Sequence, residues 1–110
     1  MPAEIVIVAQ VWVAEGRLDE ALDLLREDVE YTHANEPAVP RFALHRDVDD
    51  PQHLTMIEAF PNEDVLMEHR ASEFYKDLME RLDHSGVLER RERLVLAPLG
   101  IGDPAKGYLA

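Results

Sequence analysis

The spacing of apolar positions changes repeatedly along the chain, and each change marks the border of an element. Residues 4–13, EIVIVAQVWV, are rich in β-branched side chains and have a strand's length. Ile5, Ile7, Ala9, Val11 and Val13 fall on one side of that strand, while Val6, Val8 and Trp12 share the other with Gln10. After Glu15 and Gly16 the period becomes helical, with Leu18, Ala21, Leu22, Leu25, Val29 and Thr32 recurring at three and four residues. Asp19, Glu20, Asp23, Glu27 and Glu30 are predicted on the outer side of this helix. Asn35 is expected to close it in a left-handed conformation, and Pro37 cannot continue it, so the end falls near Ala34.

Residues 41–47 alternate as a strand, the DVDDP segment at 47–51 supplies a turn, and residues 53–60 resume the extended pattern, which predicts a hairpin. Pro61 breaks the second arm. Asn62 is placed to cap a helix, and Glu63 and Asp64 favour its first turn through the helix dipole. Val65, Leu66 and His69 form one stripe of that helix and Phe74, Leu78 and Leu82 continue it, with an irregularity expected near Ala71 and Ser72. Ser85 and Gly86 end it. Residues 87–97 read as a last strand whose charged run, Glu89 to Arg93, is exposed on part of one side.

The order strand, helix, strand, strand, helix, strand predicts an α+β, ferredoxin-like split β-α-β-β-α-β domain with a four-stranded antiparallel sheet, over residues 1–97. A chain of 110 residues has room for one such domain, followed by a tail at 98–110 that has no period of its own. Two helices cover one sheet face and leave the other bare. Because the first strand is apolar on both sides, the bare face is expected to bind a second copy, giving a homodimer with sheets packed face to face, a dimeric α+β barrel. The tail either wraps the partner through Tyr108 and Leu109 or remains unattached; both readings stand at this point.

Composition narrows the chemistry. Apolar residues make up 46% and charged residues 31%, as in a globular protein rather than a disordered one. With no cysteine, disulfides, thiolate catalysis and sulfur-bound zinc are excluded. The formal net charge of −12 opposes binding to nucleic acid, whose affinity comes from Lys and Arg. The start lacks a basic leader and its apolar run is broken by Gln10, so neither export nor membrane insertion is expected and the location is read as cytoplasmic.

Glu58 shares a strand face with Leu54, Met56 and Phe60, where desolvation favours its protonated form unless a partner is present. His69 is the expected partner, and Glu36, just before Pro37, is a further candidate. A histidine bonded to a carboxylate accepts a proton near neutral pH. The competing reading is structural: these groups pin the second helix and the turn after the first helix to the sheet. Arg70 either holds an anionic substrate or forms a surface ion pair with Glu63 or Glu73. Asp47, Asp49 and Asp50 suggest calcium only superficially, because Pro51 and Gln52 stand where that loop needs a ligand and a glycine. His33, His45 and His53 have no metal-ligand spacing, and no metal site is expected.

The first strand, the Glu36-Pro37 step, the LHRDVDDP hairpin, the IEAF strand and the NEDVLMEHRASEFY helix together resemble the antibiotic biosynthesis monooxygenase domain of the dimeric α/β-barrel superfamily, over roughly residues 4–97. The resemblance implies a cofactor-independent monooxygenase or quinol oxidase acting with dioxygen on a small planar aromatic such as a polyphenol, anthrone or quinol. It also implies roles: His69 as base, Glu58 or Glu36 as its orienter, Trp12, Phe60, Phe74 and Tyr75 as an aromatic slot, and Arg70 as a substrate contact. Many oxygenase members carry tryptophan where this chain has Phe60. The alternative within the same fold is a non-catalytic, small-ligand-binding or stress-related dimer. A haem-degrading relative would place an iron-ligating histidine around Leu78 and Met79, where this chain has none, and His84 falls near the helix end.

Overall fold

β1 (Ile5–Val13) lies inside a four-stranded antiparallel sheet, flanked by β3 (His53–Phe60) on one side and β4 (Leu88–Leu96) on the other, with β2 (Arg41–Arg46) beyond β3. The structure, a computed structural model, describes residues 4–102. Tyr108 and Leu109 lie outside the described residues. Helix α1 (Leu18–Asn35) follows β1, and α2 (Glu63–Ala71) and α3 (Glu73–Ser85) fill the connection between β3 and β4. The predicted ferredoxin-like order is therefore observed, with the second helix divided in two.

That division falls where the irregularity was expected, and Ser72 explains it. Its backbone is extended (φ −64°, ψ 145°), so α2 cannot run on through it. The Ser72 hydroxyl donates to the carbonyl of His69 at 3.0 Å and accepts from the N–H of Tyr75 at 3.1 Å, closing one helix and opening the next. Asn62 caps α2 by accepting from the N–H of Val65 at 2.9 Å. Gly86, at φ 69°, takes the left-handed conformation that ends α3.

The end of α1 differs from expectation. No described residue other than glycine has a positive φ, so Asn35 does not close the helix in a left-handed turn. It stays helical, and its side chain donates back to the carbonyl of Tyr31 at 3.0 Å. The helix instead runs out at Glu36 (φ −126°), whose N–H still bonds to Thr32, immediately before the proline that has no N–H to give.

The register sets which side chains face the helices. Ile7 lies opposite Glu58 on β3 and Val95 on β4, and Glu58 lies opposite Phe42 on β2. Residues of this parity join Ala21, Leu25, Leu66, Leu78 and Leu82 in a single core. Val6, Val8 and Ile57 have the other parity and are not part of that core, so the second sheet face has no helical cover. β4 is exposed from Glu89 through Leu96, along more of its length than its charged run alone suggests, because it is an edge strand at the rim of the helical layer.

Replacing Ser72 with alanine removes one N-cap bond and one carbonyl contact together. The expected loss is about 1 kcal/mol in urea unfolding; an unchanged midpoint would show that the α2–α3 joint does not depend on this hydroxyl.

Candidate functional site

A cavity of about 360 Å³ lies between the helix-facing side of the sheet and helices α1 and α3. Leu25, Met56, Met79 and Leu82 make much of its wall apolar; Asp28, Glu58, Tyr75 and Arg93 are among its polar groups, and Gln10, Arg91 and Glu92 add others. Asp28, Glu58, Tyr75 and Arg93 each reach the cavity for a local reason. Asp28 lies on the inner stripe of α1, in line with the buried Ala21, Leu25 and Thr32. Glu58 projects from β3 with the parity of Ile7 and Phe42. Tyr75 stands in the first turn of α3, fixed by the Ser72 cap. Arg93 comes from β4 opposite Ala9, and its guanidinium donates weakly to the Tyr75 hydroxyl at 3.5 Å.

Burial pushes the Glu58 carboxyl up to about 8; the charge of Asp28 adds to the rise, and Arg93 and Arg70 act against it. Burial likewise raises Asp28 to about 7, with the charge of Glu36 adding to it. Near neutral pH this cavity therefore holds one carboxyl that largely keeps its proton and a second poised to give or take one. Such a pair supplies an acid and a base in the same apolar space.

His69 forms a second polar centre. It is 3% exposed, and its Nδ1–H donates to Glu36 Oε1 at 2.6 Å, the carboxylate being an acceptor only. The rings of Phe42, Phe60 and Tyr75 pack around the imidazole with centroids 5.2, 5.5 and 5.0 Å away. Nε2 is buried and has no hydrogen-bond partner among the described residues. Glu36, Pro37, His69 and Ser72 line a smaller cavity of about 210 Å³. Tyr75 joins the two centres, since its ring packs on His69 and also lines the larger cavity.

The expected pairing of Glu58 with His69 is not what the fold builds. Phe42 and Phe60 pack against the imidazole from the sheet, and Glu36, at the end of α1, takes its Nδ1. The charged neighbours that act on Glu58 are Asp28, Arg93 and Arg70. Of the expected slot aromatics, Tyr75 lines the larger cavity. Phe60 is fully buried core, and Phe74 stacks on Tyr31 with centroids 3.9 Å apart. Trp12 points to the opposite sheet face, where it stacks on His53 at 4.4 Å and lies under Arg90 at 4.3 Å; its even-numbered parity in β1 puts it there. Arg70 acts on Glu58 electrostatically but is not in the cavity wall.

Asp28, Thr32 and Arg93 were absent from the sequence-based site. The signal for Asp28 was its position three residues after Leu25 and four before Thr32, which places a carboxyl on the apolar stripe. Among the described residues no group of three His, Asp or Glu side chains is arranged to hold a metal ion. No helix among the described residues is long and apolar enough to cross a membrane. The aspartates of the β2–β3 turn serve the turn itself: Asp47 accepts from the N–H groups of Asp49 and Asp50 at 2.8 and 3.1 Å.

Residues 4–81 match the family model for antibiotic biosynthesis monooxygenases. No curated protein is similar enough in sequence to count as a relative. Among solved structures, a Pseudomonas aeruginosa protein shares 21% identity and superposes with a TM-score of 0.80, covering 91% of this chain and 98% of its own. A conserved Methanosarcina mazei protein shares 23% identity at a TM-score of 0.78, over 86% of this chain and 92% of the other. A structure described as an antibiotic biosynthesis monooxygenase shares 26% identity at a TM-score of 0.77, over 86% and 98%.

Both raised carboxyls have a consequence for stability. Their folded-state proton affinity exceeds that of the unfolded chain, so their contribution is fully present below the ordinary carboxylate range and is lost as pH rises through about 7 and about 8. Thermal unfolding from pH 5 to 9 should therefore show stability falling with pH in wild type. Asp28→Asn should flatten the profile, gaining about 1–4 kcal/mol relative to wild type at the alkaline end. Parallel profiles for the two proteins would mean that Asp28 titrates as an ordinary aspartate.

Proposed function

Because the chain belongs to the antibiotic biosynthesis monooxygenase family, we propose that its larger cavity takes a small planar phenol, anthrone or quinol and oxidises it with dioxygen, the substrate itself supplying the electrons. The observation that carries this reading is the pair of carboxyls, Asp28 and Glu58, facing one apolar cavity with raised proton affinity. A cofactor-free oxidation of this kind needs a base to form the substrate anion, a neutral donor to hold it and an apolar slot for the ring.

Asp28, as carboxylate, takes the proton from the substrate hydroxyl or enol. Glu58 remains protonated and donates to a substrate oxygen, while Arg93 and the Tyr75 hydroxyl offset the developing negative charge. One electron of the anion passes to dioxygen, and the resulting pair combines at carbon. Breaking the O–O bond then leaves one oxygen on the ring as a carbonyl and releases the other as water, its protons coming from the substrate carbon and hydroxyl by way of the two carboxyls. With a quinol both electrons and both protons pass to dioxygen, giving quinone and hydrogen peroxide. The sequence-based base, His69, with Glu36 as its orienter, is one ring removed from this space and touches it through Tyr75.

The family's fold also supports a dimer. Val8 lies between Ile57 and Leu94 in the register of the uncovered face, and Leu94 and Leu96 are 52% and 45% exposed. A contiguous apolar sheet face of this kind is stable in water when a second copy covers it.

Oxygen uptake with a panel of anthrones, naphthols and quinols tests the chemistry. Wild type should consume oxygen with at least one, with a rate maximum between about pH 7 and 8: activity rises as Asp28 ionises and falls as Glu58 does. Asp28→Asn should slow the reaction about 100-fold. Rates equal to the variant's on every substrate would leave the non-catalytic binding protein as the better account. Equilibrium sedimentation at micromolar concentration tests the assembly: the expected mass is about twice 12.5 kDa, and a species at the single-chain mass would remove the dimer.

A further inference from the structure

Three polar side chains stand one turn apart on the inner stripe of α1 and its end: the buried Asp28 and Thr32 and the half-buried Glu36. Asp28 is 5% exposed, Thr32 0% and His69, bonded to Glu36, 3%. Each of the four carries a buried polar atom without a partner among the described residues: Asp28 Oδ1, Thr32 Oγ1, Glu36 Oε2 and His69 Nε2. Leaving such an atom unbonded in an apolar interior costs about 1–3 kcal/mol. A hydroxyl between two carboxyls at helical spacing gives a water molecule the two or more polar partners it needs.

The two ends of this row open differently. Asp28 lines the larger cavity beside Glu58, and Glu36 and His69 line the smaller one beside Pro37. Apolar packing surrounds the row, with Leu25 and Leu78 in the core. At its Asp28 end the row meets Glu58 from β3, on which Arg93 of β4 and Arg70 of α2 act, and the charge of Glu36 acts on Asp28 from the other end.

We propose that Asp28, Thr32, Glu36 and His69 hold a file of bound water that links the two cavities and carries protons between them, with Thr32 as the central positioning residue. A proton leaving Asp28 moves along the file to Glu36 Oε2 or His69 Nε2, and the same route returns one. With Nδ1–H donating to Glu36, the neutral imidazole of His69 would carry on Nε2 the lone pair that receives it. The transport role rests on the proposed oxidation, whereas the file itself does not.

Thr32→Val keeps the shape and removes the hydroxyl, and two measurements on the full chain decide the matter. A high-resolution crystal structure of wild type should show solvent within hydrogen-bond distance of Thr32 Oγ1 and Asp28 Oδ1, lost in the variant. A row that is dry in wild type overturns the inference whatever the activity. On a substrate that wild type oxidises, Thr32→Val should lower kcat at least about tenfold, raise the solvent deuterium isotope effect and leave KM unchanged. Thr32→Ser should restore the rate. Turnover and isotope effect unchanged in Thr32→Val would overturn the relay even with the water present. If wild type oxidises nothing, the oxidation reading fails, and the crystallographic comparison still decides whether the file exists.

Discussion

The costliest feature of this fold is the placing of ionisable groups inside its apolar layer. A four-stranded sheet roofed by helices on one side has room for one core, and that core is mostly Ile, Leu, Met and Phe. Asp28, Glu58 and His69 are set into the same layer. Isolated charges there are penalised by desolvation, so the carboxyls hold their protons to higher pH instead of staying ionised. What distinguishes the cavity follows from this: two of its carboxyls change protonation near neutrality rather than in the ordinary carboxylate range. The neighbours are arranged to moderate the penalty rather than to cancel it. Arg93 and Arg70 act on Glu58 without forming a direct bond to it, whereas Glu36 has an imidazole to bond.

Backbone interruptions give the layer its precision. A single helix running from residue 63 to 85 would carry Tyr75 on a fixed azimuth from His69. The extended residue at Ser72 resets that relation, and its hydroxyl fixes both sides of the joint. The imidazole packs against the Tyr75 ring as a result. At the other end of the same centre, α1 persists to Asn35 and stops because Pro37 has no N–H, which leaves Glu36 half-buried beside His69. Local rules about caps and prolines thus decide which carboxylate the histidine meets. Parity decides the rest, since a strand residue faces the helices or the open face with no intermediate choice.

Those distinctions also explain what sequence reading recovered. Strand and helix order, the hairpin, the caps at Asn62 and Gly86 and the break at Ser72 are local consequences of a few residues, and each was legible. Glu58 and His69 were legible as inward-facing polar groups because they interrupt apolar stripes, and Glu36 because it precedes the proline that ends α1. Their pairing was not: Glu58 was the expected partner of His69 and Glu36 the further candidate, and the order is reversed because the Phe42 and Phe60 rings pack on the imidazole from the sheet. Trp12 and Tyr75 were grouped as aromatics although β1 alternation already set Trp12 apart from Ile7; the helices cover the Ile7 side, where Tyr75 of α3 lies. Asp28 was hidden by its surroundings in the chain: α1 carries acidic residues on its outer face, and one more aspartate reads as solvated unless its angle on the helix is counted.

The chain's net charge of −12 bears on how a guest anion would arise on the proposed reading. Such a field disfavours the approach of a preformed anion and further resists ionisation of the buried carboxyls. Arg91 and Arg93 line the cavity at the β4 edge, but Arg91 is already paired with Asp83, so the local positive potential falls mainly to Arg93. A neutral phenol or quinol enters against no such barrier. On the proposed reading its proton would be lost inside, where Asp28 would receive it and Arg93 would be near the charge left behind. On that reading the acidic surface and the titrating carboxyls inside are complementary: one would favour an uncharged guest, and the other would make it reactive only once it is enclosed.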